Sequence, residues 1–382
     1  MLYSLNEWGR LRAVILGTVE GFAPGVSFNR RASHEEIAEA EALARQGYPQ
    51  SYLDEVAEDL DGFRVALEAE GVRVLRPAWA EDDVSFTTPN FSASGFDLYN
   101  VRDQQLVVGN TYVSTPPTAR FRYFEQMGLQ ALLHENYFDP GFRWVCAPMP
   151  KLRGTYLRDV PRAKTALEEL EDERQRALGN KVAERFRLLD EDEILFDAAN
   201  VCRLGNDLLY LVSKSGNRKG GRWLQEVLGP EFRVHYTETY RSSHLDSTIV
   251  PLREGLVLLN RLRVSPETCP EILSDWEQIY FADAAPVPDA EVEFHEKVRL
   301  PVARRLAAMG VETTLDQLTS PWIGWNLLVI RPGLVRVTNP QPTLERELAR
   351  HGIESIPIRM RHAFSMLGGL HCTTLDVERD AE

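Results

Sequence analysis

One local pattern recurs five times along the 382-residue chain and limits the folds open to it: an amphipathic helical segment, a glycine near its end, and a β-rich segment. The glycines are Gly71, Gly141, Gly229, Gly310 and Gly352. A glycine after the last helical turn is the expected left-handed cap, and the alternating apolar and polar residues behind it are typical of a half-buried strand. Five copies correspond to units of roughly 76 residues, and this regularity indicates a repeat architecture.

Hairpin-like segments lie between these units. Each has an apolar strand, a turn rich in glycine or asparagine, and a second apolar strand. They cover residues 102–113, 200–212, 248–260 and 326–337. A fifth hairpin is completed if residues 368–377 pair with residues 11–17, which would close the array into a ring.

A cyclic array of ββαβ-like units is a β/α-propeller, and a closed ring leaves no exposed sheet edge. We therefore predict an α/β fold in which a five-bladed β/α-propeller spans residues 1–382 as a single domain. Two unrelated α/β domains are the alternative, because helix–glycine–strand joints are common in α/β proteins. The charge-rich segment around residues 159–189 has a helical period, and we interpret it as a solvated surface insertion without a catalytic role.

Charge and cysteine content narrow the possible partners. The chain has 43 Lys and Arg against 57 Asp and Glu, a formal charge of −14, so a nucleic acid partner is not expected. No apolar run approaches the roughly 18 residues that a membrane span needs, and the first residues do not resemble a secretory signal. The four cysteines include no CxxC pair, which argues against a structural zinc site and favours free thiols in the cytoplasm.

Three segments carry reactive side chains where ordinary packing does not require them. Asp197 enters an apolar strand pair, His244 and Asp246 precede another, and Cys372 follows two glycines that permit close backbone approach. On strands, His244 and Asp246 would share a face, whereas His371 would point away from Cys372. Cys372, His244 and Asp197 are thus the parts of a nucleophile with an oriented acid/base. Taken singly, each also suits a structural role in a core or a turn.

At these segments the chain resembles the amidinotransferase family, which includes glycine amidinotransferase and the amidinotransferases of bacterial antibiotic and cyanotoxin pathways. The similar segments, in the family's order, are NEWGRLRAVILG, VRDQQLVVGN, FDAANVCRLGNDLLYLVSKSGN, HLDSTIVPLREGLVLLN, SPWIGWNLLV and LGGLHCTTLDVER. They extend from residue 6 to residue 379, and the GG-x-HC-x-T motif separates the transferases from their guanidine-hydrolysing relatives. The resemblance implies the five-bladed β/α-propeller called the pentein fold, with no metal or organic cofactor.

The resemblance also implies ping-pong transfer of an amidino group from arginine to an amine. Cys372 is expected to attack the guanidinium carbon, His244 to protonate departing ornithine and then deprotonate the acceptor, and Asp197 to orient His244. Asp103 and Asp246 are expected to clamp the guanidinium through charge-assisted hydrogen bonds that fix its plane.

Two further positions match substrate-binding residues of the family. Arg263 falls at an arginine that binds a carboxylate, although Arg253 and Arg261 lie close enough to compete for that register. Ser320 falls at a substrate-binding serine. The expected partners are therefore small molecules, and the family's habit is a homodimer.

A departure from the family bears on the acceptor. Ser243, in the stretch Arg241-Ser242-Ser243, stands where glycine-using members have a methionine before the catalytic histidine. The smaller side chain leaves room for a larger or more polar amine. We therefore expect an acceptor other than glycine, of the kind found in specialised metabolism.

Two other functions remain open from the sequence. A hydrolase of the arginine deiminase type would share the cysteine, histidine and aspartate, with water in place of the amine. A propeller without catalytic activity would act as a binding module, although the acidic charge and the complete set of reactive residues argue against it.

Overall fold

The computed structural model describes residues 2–78, 84–161, 163–177, 186–238, 240, 242–319 and 321–381. These residues form eight α-helices: α1 (His34–Arg45), α2 (Gln50–Ala69), α3 (Gln130–Asn136), α4 (Ala166–Ala177), α5 (Arg218–Leu228), α6 (Asp289–Phe294), α7 (Leu300–Ala308) and α8 (Pro342–Arg350). In this part of the chain no helix is both long and apolar enough to pass through a bilayer.

The strands, in chain order, are β1 (Leu11–Leu16), β2 (Ala23–Phe28), β3 (Arg73–Leu75), β4 (Ser85–Thr87), β5 (Ser92–Phe96), β6 (Gln105–Val108), β7 (Thr111–Ser114), β8 (Arg143–Cys146), β9 (Leu157–Val160), β10 (Phe186–Leu189), β11 (Val201–Leu204), β12 (Asp207–Leu211), β13 (Arg233–Thr237), β14 (Ile249–Arg253), β15 (Leu256–Asn260), β16 (Glu277–Phe281), β17 (Glu312–Thr313), β18 (Leu328–Arg331), β19 (Leu334–Thr338), β20 (Glu354–Ile358) and β21 (Thr374–Arg379).

Five three-stranded sheets share one strand pattern: β21-β1-β3, β6-β7-β8, β11-β12-β13, β14-β15-β16 and β18-β19-β20. In each sheet the middle strand is antiparallel to the first strand and parallel to the third. The predicted α/β class is confirmed. The four predicted hairpins are also confirmed, as the first two strands of the last four of these sheets.

The two ends of the chain meet in one sheet. Leu11 of β1 pairs antiparallel with Arg379 of β21, and Leu16 pairs with Thr374. Strand β3 is added in parallel on the other side of β1. The predicted pairing of the two ends of the chain is therefore confirmed, but the C-terminal strand covers Thr374–Arg379, whereas the prediction began it at residue 368 and ended it at residue 377.

One of the five predicted helix–glycine–strand joints does not lead into a three-stranded sheet of the repeat. Gly310 follows α7 with φ 73°, but the strand behind it, β17, pairs antiparallel with β2 in the four-stranded sheet β17-β2-β5-β4. The third strand of the sheet β14-β15-β16 follows a 3₁₀ turn at Glu271–Leu273 instead. The pattern fails here because a glycine cap reports only the end of a helix, whereas tertiary contacts choose the partner of the next strand.

The charged insertion consists of an antiparallel pair, β9 and β10, with α4 between the two strands along the chain. The prediction that this segment is merely solvated is wrong for one face of α4, where Glu168, Glu171 and Asp172 are buried. A run of charges does not distinguish an exposed helical face from one that contacts other polar groups. Consequently the insertion contributes a buried carboxylate to the region described below.

The largest apolar cluster joins α2 to the first sheet. Val56, Leu60, Phe63 and Leu67 form a stripe along α2 and belong to the same buried cluster as Leu11 of β1. Their spacing of three and four residues places them on one helical face. Burying a side chain of this size contributes about 1.5–3 kcal/mol, so this stripe fixes α2 against the sheet.

A network of buried charges connects distant segments of the chain. Arg203 Nη2 lies 2.8 Å from Glu7 Oε2, and Arg379 Nε lies 2.7 Å from Asp376 Oδ2. Asp376 also pairs with Arg102 and Arg203. Burial alone would favour the neutral acid, but the three arginines outweigh it and hold the pKa of Asp376 well below its ordinary value. The network thereby joins the segment before β1, the turn before β6, and strands β11 and β21.

Candidate active site

Cys372 lies in the turn that leads into β21, where neighbouring chain segments hold its backbone. Its N–H donates to Asn326 Oδ1 at 2.8 Å, and Arg102 Nε donates to the carbonyl oxygen of His371 at 2.9 Å. The thiol Sγ lies 3.2 Å from Asp246 Oδ2, and only 5% of the residue is exposed. The sulfur is therefore fixed beside a carboxylate and nearly shielded from water.

The two glycines before this turn allow close approach, as the sequence predicted. A Cβ on Gly368 would lie 1.8 Å from Asn100 Oδ1, and a Cβ on Gly369 would lie 2.6 Å from Thr338 Oγ1. Such distances are far inside van der Waals contact, so neither position accepts a side chain without movement. The glycines thus permit the position of the Cys372 turn.

His244 and Asp197 form a directly hydrogen-bonded pair. Their Nε2 and Oδ2 atoms are 3.1 Å apart. The other carboxylate oxygen of Asp197 accepts from Thr118 Oγ1 at 2.8 Å and from Gln104 Nε2 at 3.3 Å. Because the carboxylate is fixed on both sides, it holds the imidazole in one orientation, the arrangement that an acid/base histidine needs.

The carboxylates around His244 favour its charged form. Burial opposes the imidazolium, but Asp103, Asp197 and Asp246 outweigh that effect and raise the pKa of His244 to about 9. His244 is therefore a cation at neutral pH. In contrast, burial together with the negative charges of Asp246 and Asp103 raises the pKa of the Cys372 thiol well above its ordinary value.

Asp103 and Asp246 lie on two sides of this site. Asp103 Oδ2 accepts from Arg122 Nη1 at 2.6 Å, whereas Oδ1 is buried without a hydrogen-bond partner among the described residues, 3.7 Å from His244 Nδ1. Burial alone would raise the pKa of Asp246. The hydrogen bond and the attraction from His371, together with attraction from His244, outweigh burial and hold this pKa well below its ordinary value. Two carboxylates beside one thiol form a site suited to a planar cation with several N–H donors.

Two arguments based on strand geometry are wrong, although the residues they concern lie at the site. Residues 244–246 lie in a loop that bends into a turn, and residues 371–372 lie in a turn, so neither segment is a strand. His371 therefore does not point away from Cys372: its Nδ1 lies 3.0 Å from Asp246 Oδ2, the same oxygen that the thiol contacts. Turn geometry lets neighbouring residues converge, which the alternation of a strand forbids.

Arg263 is the one among the three candidate arginines that lies next to the site. Its Nη1 donates to Thr248 Oγ1 at 2.9 Å, two residues beyond Asp246. Arg261 is exposed, and Arg253 Nη2 lies 3.5 Å from Glu277 Oε2 in a largely exposed pair. Of the three, Arg263 therefore has the position that fits the expected arginine, and its role in binding a carboxylate stays a prediction.

Ser243 contributes its backbone to the support of the site. Its carbonyl oxygen accepts from Ser213 Oγ at 2.8 Å and from Ser215 Oγ at 2.6 Å. The predicted residue Ser320 lies outside the described residues, and so does Arg241 of the stretch before His244.

Sequence reasoning did not find several contributors. Asn326, Thr118 and Arg122 orient the cysteine and the two aspartates, and Glu171 of the insertion contacts Arg263. Asn326 directly follows SPWIGW in one of the segments that resemble the amidinotransferase family. That motif could therefore have indicated Asn326 as a site residue. The other three have no motif that distinguishes them from surface polar residues.

Comparisons with known proteins fit this geometry. No family model matches the chain. Inosamine-phosphate amidinotransferase 1 of Streptomyces griseus is 37% identical, covering 98% of this chain and 96% of the relative. L-arginine:L-lysine amidinotransferase of Pseudomonas savastanoi pv. phaseolicola is 30% identical with 98% and 94% coverage, and mitochondrial glycine amidinotransferase of Gallus gallus is 27% identical with 98% and 82% coverage.

Solved structures give the same result. The inosamine-phosphate amidinotransferase of Streptomyces griseus superposes with a TM-score of 0.74 at 35% identity, covering 99% of this chain and 97% of the other. The amidinotransferase SxtG of Microseira wollei, from the saxitoxin biosynthetic pathway, gives 0.73 at 30% identity with the same coverage. Fold and similarity together define an enzyme of the transferase class that handles amidino groups. The chain belongs to the amidinotransferase family, and the resemblance drawn from its motifs is confirmed.

Proposed function

We propose that this enzyme moves the amidino group of L-arginine to an acceptor amine through a covalent amidino-Cys372 intermediate and releases L-ornithine. The observation that carries the proposal is the convergence of the Cys372 thiol, the carboxylates of Asp103 and Asp246, and the His244–Asp197 pair. It supplies a nucleophile, a guanidinium clamp and an acid/base within one buried region.

Asp103 and Asp246 bind the guanidinium in this scheme. The buried Oδ1 of Asp103 has no hydrogen-bond partner among the described residues, so it is available to accept from a substrate N–H. Asp246 lies 3.2 Å from the thiol and brings a bound guanidinium within reach of Sγ. Charge-assisted bonds to both keep the guanidinium planar and oriented for attack on its carbon.

The donor itself activates the thiol. In the free enzyme, burial and two nearby carboxylates raise the pKa of Cys372. A guanidinium cation between these carboxylates offsets their charge and stabilises a thiolate, so the nucleophile forms only when a donor is bound. This coupling protects the sulfur from other electrophiles between turnovers.

His244 transfers the protons. In the first half-reaction the thiol proton is released to solvent, the sulfur bonds to the amidino carbon, and the C–N bond to ornithine breaks as the imidazolium gives the departing nitrogen one proton. In the second half-reaction the incoming amine attacks the amidino carbon and gives a proton to neutral His244, while the C–S bond breaks and the thiolate regains a proton from solvent. The pKa of about 9 makes the imidazolium the form that is ready at neutral pH.

The acceptor is proposed to be an amine other than glycine, as expected for specialised metabolism. The inosamine-phosphate amidinotransferases are more similar to this chain than the glycine amidinotransferases are. Lys214 adds support, because it lies in the turn between Ser213 and Ser215 that holds the residue before His244. The residue as a whole is exposed, but burial of its ammonium lowers its pKa, and no carboxylate pairs directly with it among the described residues. We assign it to an anionic substituent of the acceptor.

We also infer that the five similar sheets are the blades of a five-bladed β/α-propeller forming a single domain. The common strand pattern and the pairing of β1 with β21 support this arrangement. The cytoplasmic location and the homodimer stay predictions.

The test is the intact mass of the protein after mixing with arginine alone and quenching in acid. We expect an adduct of about 42 Da, the mass of one amidino group in the covalent scheme. It should be absent in Cys372→Ala, and an acceptor amine should discharge it. Steady citrulline formation without an adduct would indicate the hydrolase. If neither citrulline nor an adduct formed, the result would contradict arginine as the donor.

Once the adduct has been formed, a panel of amines is tested for the ability to discharge it, and this identifies the acceptor. Glycine, lysine and aminocyclitols with and without a phosphate are compared by kcat/KM for discharge of the adduct. Glycine as the best acceptor would overturn the proposed specificity.

A further inference from the structure

A carboxylate from the charged insertion contacts the arginine that adjoins the site. Glu171 Oε1, on α4, lies 3.4 Å from Arg263 Nη2. The two side chains are each only 10% exposed. Arg263 also donates to Thr248, two residues beyond Asp246, so the pair adjoins the chain segment that carries one residue of the guanidinium clamp.

A buried tryptophan donates a hydrogen bond to the same oxygen of Glu171 that faces Arg263. Trp322 Nε1 donates to Glu171 Oε1 at 2.7 Å, and Trp322 is fully buried. This bond fixes the position of the carboxylate independently of Arg263. A buried tryptophan that donates to an acid on an inserted helix is a specific contact rather than a solvated surface pairing.

The contact with Arg263 is open by comparison. Charge-assisted N–H···O bonds are usually about 2.7–2.9 Å long. The distance of 3.4 Å between Arg263 Nη2 and Glu171 Oε1 is longer than this range. In addition, Arg263 Nε is buried without a hydrogen-bond partner among the described residues. The arginine therefore retains donors for another anion while Glu171 stays beside it.

We propose that Glu171 binds the α-ammonium group of the donor arginine while Arg263 binds its α-carboxylate. This inference rests on the proposed function, and it makes Glu171 a residue that determines donor specificity. A zwitterionic head group requires one cation and one anion in adjacent positions. The buried Arg263 and Glu171 lie side by side in this arrangement, and the Nε of Arg263, which has no hydrogen-bond partner among the described residues, gains an anionic partner when the head group binds.

The assignment explains why a charged helix is inserted between β9 and β10. The five similar sheets supply the thiol, the histidine and the clamp, whereas Glu171 comes only from the insertion. The insertion would thus distinguish an α-amino acid donor from guanidines that lack an ammonium group. A guanidine without that group would still meet the clamp formed by Asp103 and Asp246.

The experiment compares three donors: L-arginine, agmatine, which lacks the carboxylate, and 5-guanidinopentanoate, which lacks the α-ammonium. The readout is kcat/KM for adduct formation at Cys372. We expect the wild-type enzyme to prefer arginine over both analogues. In Glu171→Gln the preference for arginine over 5-guanidinopentanoate should fall roughly tenfold to a hundredfold, the range for a hydrogen bond to a charged group. Reactivity toward 5-guanidinopentanoate itself should be preserved.

The matched control is Glu169→Gln, which makes the same change of charge at an exposed position of α4. It should keep the wild-type donor preference. Glu171→Asp retains the charge and should keep part of the preference, and thermal unfolding of each variant reports on folding. If Glu171→Gln lowers the KM for arginine, Glu171 merely competes with the substrate carboxylate and the inference is wrong. An equal loss for all three donors would contradict it as well, because it would indicate a structural role.

Binding without chemistry separates this inference from the proposed function. Calorimetry with Cys372→Ala, with and without Glu171→Gln, measures arginine against 5-guanidinopentanoate in the absence of transfer. A failure of the wild-type enzyme to form any adduct would refute the proposed transfer, yet the binding ratio would still reveal the contribution of Glu171. Normal adduct formation with an unchanged ratio would refute the inference about Glu171 alone.

Discussion

The imidazole Nε2 of His244 lies 3.1 Å from Oδ2 of Asp197, although the two residues are 47 positions apart. Asp197 precedes β11 and His244 precedes β14, so the contact joins the loops of two similar sheets. Leu245 N donates to the carbonyl oxygen of Ala199 at 3.1 Å and fixes these loops relative to each other. The acid/base pair is thus a product of how two sheets are placed.

Replacing Asp197 with asparagine should lower kcat by roughly 10² to 10⁴, the usual contribution of a positioned acid/base, because His244 loses its anionic partner. The measurement is the single-turnover rate of adduct formation at saturating arginine. Asp207→Asn is the matched control, since Asp207 pairs with His235 at 2.7 Å in a largely exposed contact. A rate within twofold of wild type in Asp197→Asn would show that orientation by Asp197 is dispensable.

Adduct formation should decline as the pH rises through about 9, because His244 must be a cation to protonate ornithine and its pKa is about 9. A bound guanidinium opposes the imidazolium, so the midpoint with saturating arginine should not exceed this value. In Asp197→Asn the midpoint should move to lower pH, because a hydrogen bond and an attraction that raise this pKa are removed. Rates of adduct formation across pH 6 to 10.5 provide the test, and an unmoved midpoint would exclude His244 as the group that titrates.

Substituting Gly368 with alanine should abolish adduct formation or reduce it by more than about tenfold, since a near-attack geometry tolerates little displacement. The added Cβ would lie 1.8 Å from Asn100 Oδ1 and 3.0 Å from Cys372 Cβ, so the cysteine turn must shift. Gly62→Ala is the control, because a Cβ there meets nothing within 4 Å and the position is helical. Adduct formation at the wild-type rate in Gly368→Ala would contradict the tight fit.

Removing the charge of Asp376 should destabilise the protein by about 3–5 kcal/mol, the usual result of breaking a buried ion pair from one side. Asp376→Asn leaves the fully buried Arg203 and Arg379 short of a carboxylate. Urea unfolding measures the difference. Asp380→Asn is the control, because its pair with Arg12 is exposed and screened by water. If both variants lost a similar amount of unfolding free energy, burial would not determine how much stability is lost when an ion pair is broken.

The same carboxylate predicts a dependence of stability on pH. The folded pKa of Asp376 lies well below its unfolded value of about 3.9, so its contribution is complete above that value. It is lost as the pH falls from there toward the folded pKa. Asp376→Asn should therefore weaken the decline in stability below about pH 4, as followed by urea unfolding between pH 2.5 and 6. An identical decline in the variant would assign acid sensitivity to other carboxylates.

The sequence predicted those features that depend on local chemistry. Alternating apolar residues around short turns located four hairpins, and the residue types at Asp197, His244 and Cys372 identified side chains that the fold brings together. The partner of β17 could not be predicted, because its register is determined by β2, far away in the sequence. The prediction that His371 points away from Cys372 failed because the two residues lie in a turn. A turn does not alternate side chains between two faces as a strand does.

Charge patterns were the least informative part of the sequence. Glu171 and the exposed Glu169 are two positions apart on α4 and have the same chemistry, yet only one meets a buried indole and an arginine. Nothing in the local sequence separates them, because burial of one helical face depends on what lies opposite. Arg122 is a similar case, as its value to the site comes only from Asp103.

The pairing of β1 with β21 has a consequence for how the protein is made. Leu11 pairs with Arg379, more than 360 positions later in the chain. The contacts of this sheet are therefore among the most non-local that the chain can form. Until β21 has been synthesised, β1 presents an open edge of unpaired backbone groups to every other nascent chain nearby. Premature termination before β21 would leave that edge exposed, and such incomplete chains would be prone to aggregate through it.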